Sequence, residues 1–202
     1  MIYLYGDSHS KYSFTNLNLP HINNYCFNIT MFRIGRDNNI INFNNDDHDK
    51  NSIICMSYGE IDCRCHIQQQ INLNFNEDDI IQNLIEKYFK TIKNNINKHF
   101  KIIIIGIIPP TSKICYENKN GPITHEYPFI GSDEDRVRFT NKMNNLIQEY
   151  CDNNNFIYFN PYSYYTRENG TLKYELSDSS VHLGDTTYFL NQFYNLINSF
   201  KN

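Results

Sequence analysis

Two short apolar runs do most to limit how this chain can fold. Residues 2–5 form an apolar and aromatic run, and residues 100–108 form a longer one that is rich in isoleucine. Strands that are apolar on both faces belong to parallel sheets with helices packed on each side. Because Gly6 ends the first run and Pro109 the second, each run is predicted to be a buried strand of an α/β sheet.

The rest of the chain alternates further strands with amphipathic helices. Aromatic and β-branched residues predict strands at residues 25–34, 52–58 and 156–159. Helical periodicity predicts helices at residues 78–99, 132–152 and 186–200. Connections are predicted at residues 38–51, 59–66, 111–131 and 160–180, with a small hairpin around residues 168–170. This alternation predicts one α/β domain over residues 1–202, with a parallel sheet in three layers.

Charge and apolar content limit the classes of partner. The net charge is −4, and its acidic and basic residues are scattered, so neither nucleic acid nor a membrane surface is expected as a partner. The longest apolar run is too short to span a bilayer, and no leader precedes the first strand, so a cytoplasmic location is expected. Cys26, Cys55 and Cys151 lie in apolar segments and are predicted to be buried free thiols.

Ser8 is the first candidate for chemistry. It follows the first predicted strand, and ligands of open α/β sheets bind in the crevice beyond the carboxyl ends of the strands. A serine there exposes its hydroxyl, and backbone N–H groups at a helix start can receive an oxyanion. The same residues, Gly6 to His9, also suit a plain turn in which Ser8 or Asp7 caps a helix.

His182 is the best placed of seven histidines to act as a base for Ser8. A serine hydroxyl needs such a base before it can attack. Asp178 stands four residues earlier on the same loop, where its carboxylate can orient the imidazole. An ordinary loop containing a histidine and an aspartate is the alternative interpretation.

A third cluster follows the strand at residues 52–58. Gly59 lets the backbone approach a ligand closely, while Asp62 and Arg64 place opposite charges at the same sheet edge. An Asp–Arg pair that only fixes the loop is the alternative. Cys63, Cys65 and His66 also suggest a metal cluster, but no second pair of ligands at finger-like spacing follows, so no metal is expected.

Together these blocks resemble the SGNH/GDSL hydrolase family over nearly the whole chain. They are Gly-Asp-Ser-His at residues 6–9, Gly-Glu-Ile-Asp at residues 59–62, and Asp178 with His182 before the last helix. The resemblance implies a three-layer α/β/α sandwich with a flavodoxin-like parallel sheet, and no cofactor. It also implies that Ser8 is the nucleophile, His182 the base and Asp178 its orienting acid. Gly35 matches the family's glycine block, whose backbone N–H joins that of Ser8 in the oxyanion hole.

Two departures from the family pattern stand out. Ile61 occupies the position where the family usually has an asparagine that completes the oxyanion hole, and Arg64 is a candidate replacement donor. The family's last block is Asp-x-x-His, whereas one extra residue separates Asp178 from His182 here; a one-residue bulge would absorb it. The segment Gly-Glu-Ile-Asp-Cys-Arg at residues 59–64 also resembles the third block of a subgroup associated with surface-polysaccharide gene clusters.

The resemblance implies a serine acyl hydrolase or acyltransferase, and the expected substrate is an O-acetyl ester of a sugar or glycan. Gly59 and Glu60 are expected beside the oxyanion and substrate, with Asp7, Asp62 and His9 in supporting positions. Residues 115–129 and 162–165 are expected to line a sugar site.

Two rival functions remain open from the sequence. One is a phosphatase with Asp7 as nucleophile, although His9 stands where such an enzyme has a further aspartate. The other is a non-catalytic glycan-binding or structural relative, favoured by Ile61 and by the shifted position of Asp178. A Ser8–His182 distance within hydrogen-bond reach favours an enzyme over the non-catalytic relative.

Overall fold

A computed structural model describes residues 1–26, 29–37, 48, 51–95, 99–123 and 127–200. Within them, five strands form one parallel sheet in the order β2-β1-β3-β4-β5. The strands are β1 (Ile2–Gly6), β2 (His21–Tyr25), β3 (Ile53–Ser57), β4 (Lys101–Ile105) and β5 (Ile157–Phe159).

Seven α-helices accompany the sheet in the described residues. They are α1 (Ser8–Ser13), α2 (Met31–Asp37), α3 (Ile67–Asn72), α4 (Glu77–Asn95), α5 (Lys113–Asn120), α6 (Asp133–Asn154) and α7 (Thr187–Ser199). A π-helical turn, Asp62–His66, leads directly into α3, and short 3₁₀ turns lie at Tyr162–Tyr165 and Tyr174–Leu176. Among these elements, no helix is long and apolar enough to cross a membrane.

The sheet buries both of its faces, as the apolar runs predict. Along β4, Ile102 and Ile104 pack into a cluster with α2, α4 and α6. Ile103 and Ile105 pack into the opposite cluster, with α7 and with Phe14 directly after α1. Because successive side chains of a strand point to opposite faces, an unbroken apolar strand fills both helical layers. The three-layer α/β/α architecture with a parallel sheet is therefore confirmed.

The strand predicted at residues 25–34 is wrong. β2 ends at Tyr25, and α2 begins at Met31. The Asp62 carboxylate accepts hydrogen bonds from the backbone N–H groups of Met31 (2.9 Å) and Phe32 (3.4 Å), which have no partner within their own helix. A carboxylate that lies 31 residues further along the chain thus stabilises the start of a helix whose own residues favour a strand.

The other connections differ in part from expectation. Residues 59–66 are predicted to be a loop, but the chain is helical from Glu60 onward, so that prediction is wrong. Residues 111–131 contain α5. A bridge between Thr166 and Leu172 confirms the small hairpin. Of the predicted connection at residues 38–51, residues 38–47, 49 and 50 lie outside the described residues, as do residues 96–98 of the predicted fourth helix.

Gly35 lies inside α2, where it faces α4. A Cβ atom there would come within 2.8 Å of the Lys87 Cβ and 3.2 Å of the Tyr88 backbone nitrogen. The absence of a side chain therefore lets the two helices approach each other. This place inside a helix packed on α4 does not support the oxyanion-hole role expected for Gly35.

We expect Gly35→Val to destabilise the protein without removing activity. Its side chain would overpack the α2–α4 contact, which costs about 1–3 kcal/mol of unfolding free energy and lowers the Tm by several degrees. Thermal denaturation checks this, with Lys90→Val on the exposed face of α4 as the control for introducing a β-branched residue. An unchanged Tm with lost ester hydrolysis would return Gly35 to the oxyanion hole.

Candidate active site

Ser8, His182 and Asp178 form one hydrogen-bonded chain. The Ser8 hydroxyl lies 2.9 Å from His182 Nε2, and His182 Nδ1 lies 3.0 Å from Asp178 Oδ2. A neutral imidazole protonated on Nδ1 satisfies both contacts, since it donates to Asp178 and accepts from Ser8. The three residues expected to act together are therefore in contact in the order nucleophile, base and acid.

The exit of β1 fixes Ser8 at the start of α1. Asp7 caps this helix, and its Oδ1 accepts the backbone N–H of His9 at 2.9 Å. Gly6 is needed because a Cβ there would come within 2.9 Å of the Ser57 carbonyl oxygen on β3. The two interpretations of residues 6–9 are therefore compatible. Asp7 caps the helix, and Ser8 contacts His182.

The extra residue between Asp178 and His182 forms a bulge at Ser179. Its φ of 71° is in the left-handed region, and its carbonyl oxygen accepts hydrogen bonds from Asn120 Nδ2 (2.7 Å) and Tyr174 OH (2.6 Å). Asp178 Oδ1 also accepts the N–H groups of Ser180 (2.8 Å) and His182 (3.4 Å). The bulge thus lets Asp178 reach the imidazole despite the longer spacing.

The surroundings of His182 and Asp178 lower the pKa of both residues. Burial lowers the pKa of His182 below its ordinary value and outweighs the Asp178 carboxylate, which acts in the opposite direction. Burial also opposes ionisation of Asp178, but hydrogen bonds from His182 and the Ser180 N–H hold the pKa of this carboxyl below its usual range. At neutral pH His182 is therefore an unprotonated base beside an ionised carboxylate.

The third block lies beside the first, as expected. Gly59 has a φ of 117°, and a Cβ there would come within 2.7 Å of Ile107, so this position requires glycine. Asp62 is fully buried and, besides capping α2, lies 3.3 Å from His66 Nδ1. Its predicted pair with Arg64 is not formed. Asp62 acts as a structural link between the third block and α2.

Arg64 pairs with Glu60 rather than filling the position of the missing asparagine. Arg64 Nε lies 3.1 Å from Glu60 Oε1, and both side chains are buried. The other Glu60 oxygen lies 3.4 Å from His9 Nε2, and His9 Nδ1 lies 3.3 Å from Asp7 Oδ1. Arg64 is thus part of a buried row of alternating charges that begins at Asp7, and this pairing does not support the oxyanion role expected for it.

The cysteines and the possible metal ligands have other partners. Cys55 and Cys151 are buried as predicted, but Cys26 is exposed, so its predicted burial is wrong. Cys63 contacts Met143 Sδ at 3.3 Å, and Cys65 donates to the Ile61 carbonyl. Within the described ranges, no group of three or more Cys, His, Asp or Glu side chains is arranged to hold a metal ion.

Three of the six aromatic residues expected in a sugar site are buried. Tyr162 and Tyr165 are buried in the cluster beneath α7, and Phe129 is buried against Arg64 and Arg136. Tyr164 is exposed, but it stacks on Tyr188 at 4.3 Å. The aromatic side chains of this set thus mainly pack the protein, and the sugar site expected from them stays a prediction; Tyr162 also lines a cavity beside the ends of β4 and β5.

Three further residues contact the hydrogen-bonded chain of Ser8, His182 and Asp178 or the loop that carries it, and the sequence analysis did not predict them. Tyr12 stacks on the His182 ring at 4.2 Å, and Asn120 and Tyr174 hold the Ser179 bulge. Tyr12 lies four residues after Ser8, one helical turn away, so α1 itself gave a signal for it. Asn120 and Tyr174 gave none, because their contacts with the bulge exist only in the folded chain.

No protein-family model matches this chain, and no curated protein matches it. Solved structures resemble it over nearly its whole length. A GDSL-like lipase from Bacteroides thetaiotaomicron is 16% identical, with 98% of this chain and 87% of that one covered and a TM-score of 0.56. An extracellular lipase from Streptomyces rimosus is 12% identical, with 96% and 98% covered and a TM-score of 0.54.

The OSK domain of Drosophila Oskar is similar to the same extent. It is 11% identical, with 95% of this chain and 86% of that one covered and a TM-score of 0.59. At such identities the likeness shows the fold alone, which is the fold of GDSL-type lipases. Because one fold hosts several functions, the activity has to be argued from the site.

We expect Asn120→Ala with Tyr174→Phe to loosen the Asp178 loop. Each change removes one donor to the Ser179 carbonyl, worth about 1 kcal/mol, so local opening becomes easier. Hydrogen exchange of the Ser180 amide, which donates to Asp178, should accelerate at least ~5-fold. Asn118→Ala, on the exposed face of the same helix, is the control. Equal exchange in both variants would show that the two donors do not hold the loop.

Proposed function

We propose that this chain is a serine-dependent acyl ester hydrolase, with Ser8 as nucleophile, His182 as general base and Asp178 as its orienting acid. The observation that carries the proposal is the 2.9 Å contact between the Ser8 hydroxyl and His182 Nε2, joining residues 174 positions apart. The likeness of the fold to lipases supports it at the level of the reaction class.

The geometry suits acyl transfer through a covalent intermediate. His182 Nε2 accepts the Ser8 proton while the Ser8 oxygen bonds to the ester carbonyl carbon. The tetrahedral intermediate collapses when the C–O bond to the alcohol breaks, and His182 returns the proton to the leaving alkoxide. Water, deprotonated by His182, then attacks the acyl-Ser8 ester, and the acid leaves as the C–O bond to Ser8 breaks and His182 returns the proton to the Ser8 oxygen. An acceptor hydroxyl in place of that water gives transfer instead.

The oxyanion has a smaller set of donors than the resemblance implies. The backbone N–H of Ser8, at the first residue of α1, is the donor that this geometry supports. Gly35 lies within α2, Arg64 pairs with Glu60, and Ile61 has a side chain that donates nothing. Loss of one such donor typically costs about 2.7–4 kcal/mol of barrier, so slow turnover is consistent with the site.

The geometry disfavours both rival functions. Asp7 is buried, caps α1 and lies beside His9, so its carboxylate is not presented as a phosphatase nucleophile. A non-catalytic relative would not need Ser8 within hydrogen-bond reach of a base, nor a carboxylate on the far side of that base. The enzyme is therefore the function that these contacts favour.

Within this function, we propose that the ester is an O-acyl group on a glycan. A cavity of about 490 Å³, with both polar and apolar lining, opens beside the carboxyl ends of β4 and β5, at the same edge of the sheet as Ser8. Its lining includes amide and hydroxyl side chains and one arginine that pairs with Glu175. These are Asn141, Asn144, Asn160, Ser163, Thr166 and Arg167. Sugar hydroxyls match such donors and acceptors.

We expect Ser8→Ala and His182→Ala each to abolish nearly all hydrolysis of short-chain p-nitrophenyl esters while leaving the Tm unchanged within a few degrees. Triad losses are strongly non-additive, so the double variant should be little worse than either single one. A fluorophosphonate should label wild type on the peptide that contains Ser8, and Ser199→Ala serves as the matched control. Two modest and additive losses, or labelling elsewhere, would reject the triad.

For the glycan, we expect Asn141→Ala to raise the KM of an O-acetylated oligosaccharide about 5-fold, since one hydrogen bond is worth about 1 kcal/mol. The kcat for that substrate and both constants for p-nitrophenyl acetate should not change. Asn145→Ala, exposed on the same helix but outside the cavity, is the control. Equal KM values for all three proteins would exclude the cavity as a glycan subsite while leaving the esterase intact.

A further inference from the structure

His9 is a buried second histidine beside the base, and the mechanism above gives it no role. Its ring is 4% exposed, and its two nitrogens face carboxylates, Nδ1 that of Asp7 at 3.3 Å and Nε2 that of Glu60 at 3.4 Å. The Nδ1 contact is a hydrogen bond, whereas the Nε2 contact is at ion-pair distance without hydrogen-bond geometry. An imidazolium carries a proton toward each carboxylate, whereas a neutral imidazole leaves one nitrogen bare beside an anion. The two flanking carboxylates therefore favour the charged form.

The surrounding charges balance this assignment. Burial opposes protonation of His9, but the carboxylates of Glu60 and Asp7 prevail and raise its pKa above the ordinary value. Arg64 pairs with the other oxygen of Glu60. The row Asp7, His9, Glu60 and Arg64 thus alternates in sign and is neutral overall only when His9 carries its proton.

The His9 ring also contacts the ring of His182. Their centroids are 4.7 Å apart, and Tyr12 stacks on the same His182 ring at 4.2 Å. The other charged groups that face His182 are Asp178, at Nδ1, and the Glu60 carboxylate. These two carboxylates favour a protonated His182, while the cation on His9 disfavours it.

We propose that His9 is a positioning residue of the catalytic base, a permanent imidazolium clamped by Asp7 and Glu60 that keeps His182 unprotonated in mild acid. This inference rests on the proposed function, because it assigns His182 the role of base. It explains why a histidine directly follows the nucleophile and why Glu60 is buried next to it.

The test follows the ring nitrogens by NMR, which needs no substrate. In wild type at pH 7, ¹⁵N shifts should show His9 protonated on both nitrogens and His182 protonated on Nδ1 alone. In His9→Gln, which keeps a neutral polar side chain, the titration midpoint of His182 should move to higher pH by ~0.5 or more. His21→Gln, on β2, should leave that midpoint unchanged.

The same shift should appear in the acidic limb of kcat/KM. His9→Gln should lose at least ~3-fold of its kcat/KM relative to wild type at pH 5 and none at pH 8, because the two proteins differ in the fraction of unprotonated base only in acid. A His9 with one bare nitrogen at pH 7, or an unmoved His182 midpoint, overturns the proposal even if esters are hydrolysed. A moved midpoint without any ester hydrolysis instead rejects the proposed function and leaves His9 as the neighbour that tunes His182.

Discussion

The packing of Phe14 against α7 is the contact on which the hydrogen-bonded chain of Ser8, His182 and Asp178 depends. Phe14, just past α1, lies edge-on to Phe189 and Phe193 of α7, with ring centroids 5.0 Å apart in both pairs. This contact places the start of α1, with Ser8, near the loop that precedes α7, with His182. A hydrogen bond between residues so distant in sequence cannot by itself pay for ordering both segments, so buried aromatic area holds them and the polar contact follows.

The bulge at Ser179 shows how the fold tolerates one extra residue in a catalytic loop. A non-glycine residue in the left-handed region costs of order 1–3 kcal/mol. Its carbonyl gains two donors, Asn120 and Tyr174, and its N–H donates to Ser177 Oγ at 3.0 Å. Net contributions of about 1 kcal/mol each for such bonds are enough to offset the strain. Asn120 comes from α5, in the long connection after β4, and Tyr174 from a 3₁₀ turn after β5, so both connections help to hold the bulge.

Sequence reasoning succeeded where local pattern and structure agree. The strands around Leu4 and Ile103 and the helices α4, α6 and α7 follow from periodicity, and Ser8, His182 and Asp178 follow from their places at element ends. The predictions were less successful where a side chain distant in sequence determines the local structure. Residues 25–34 are of types that favour a strand, but the Asp62 carboxylate caps a helix that begins at Met31. Gly35 lies inside that helix and lets it pack closely on α4. Neither contact has a local signature, since each partner lies at least 30 positions away along the chain.

His9 and Ile61 bear on the same activation barrier of the proposed reaction in two ways. His9 affects proton transfer to His182, and Ile61 affects stabilisation of the oxyanion. A base of lower pKa accepts a proton less readily, but more of it is unprotonated in mild acid. Above the ordinary imidazole pKa of about 6.5 nearly all of the base is free in either case, so a lowered pKa brings only the weaker proton acceptance. Without an asparagine at position 61, the oxyanion side offers little surplus stabilisation to offset that loss. Under the proposed mechanism, the arrangement of His9 beside His182 gives a net rate advantage only below that pH.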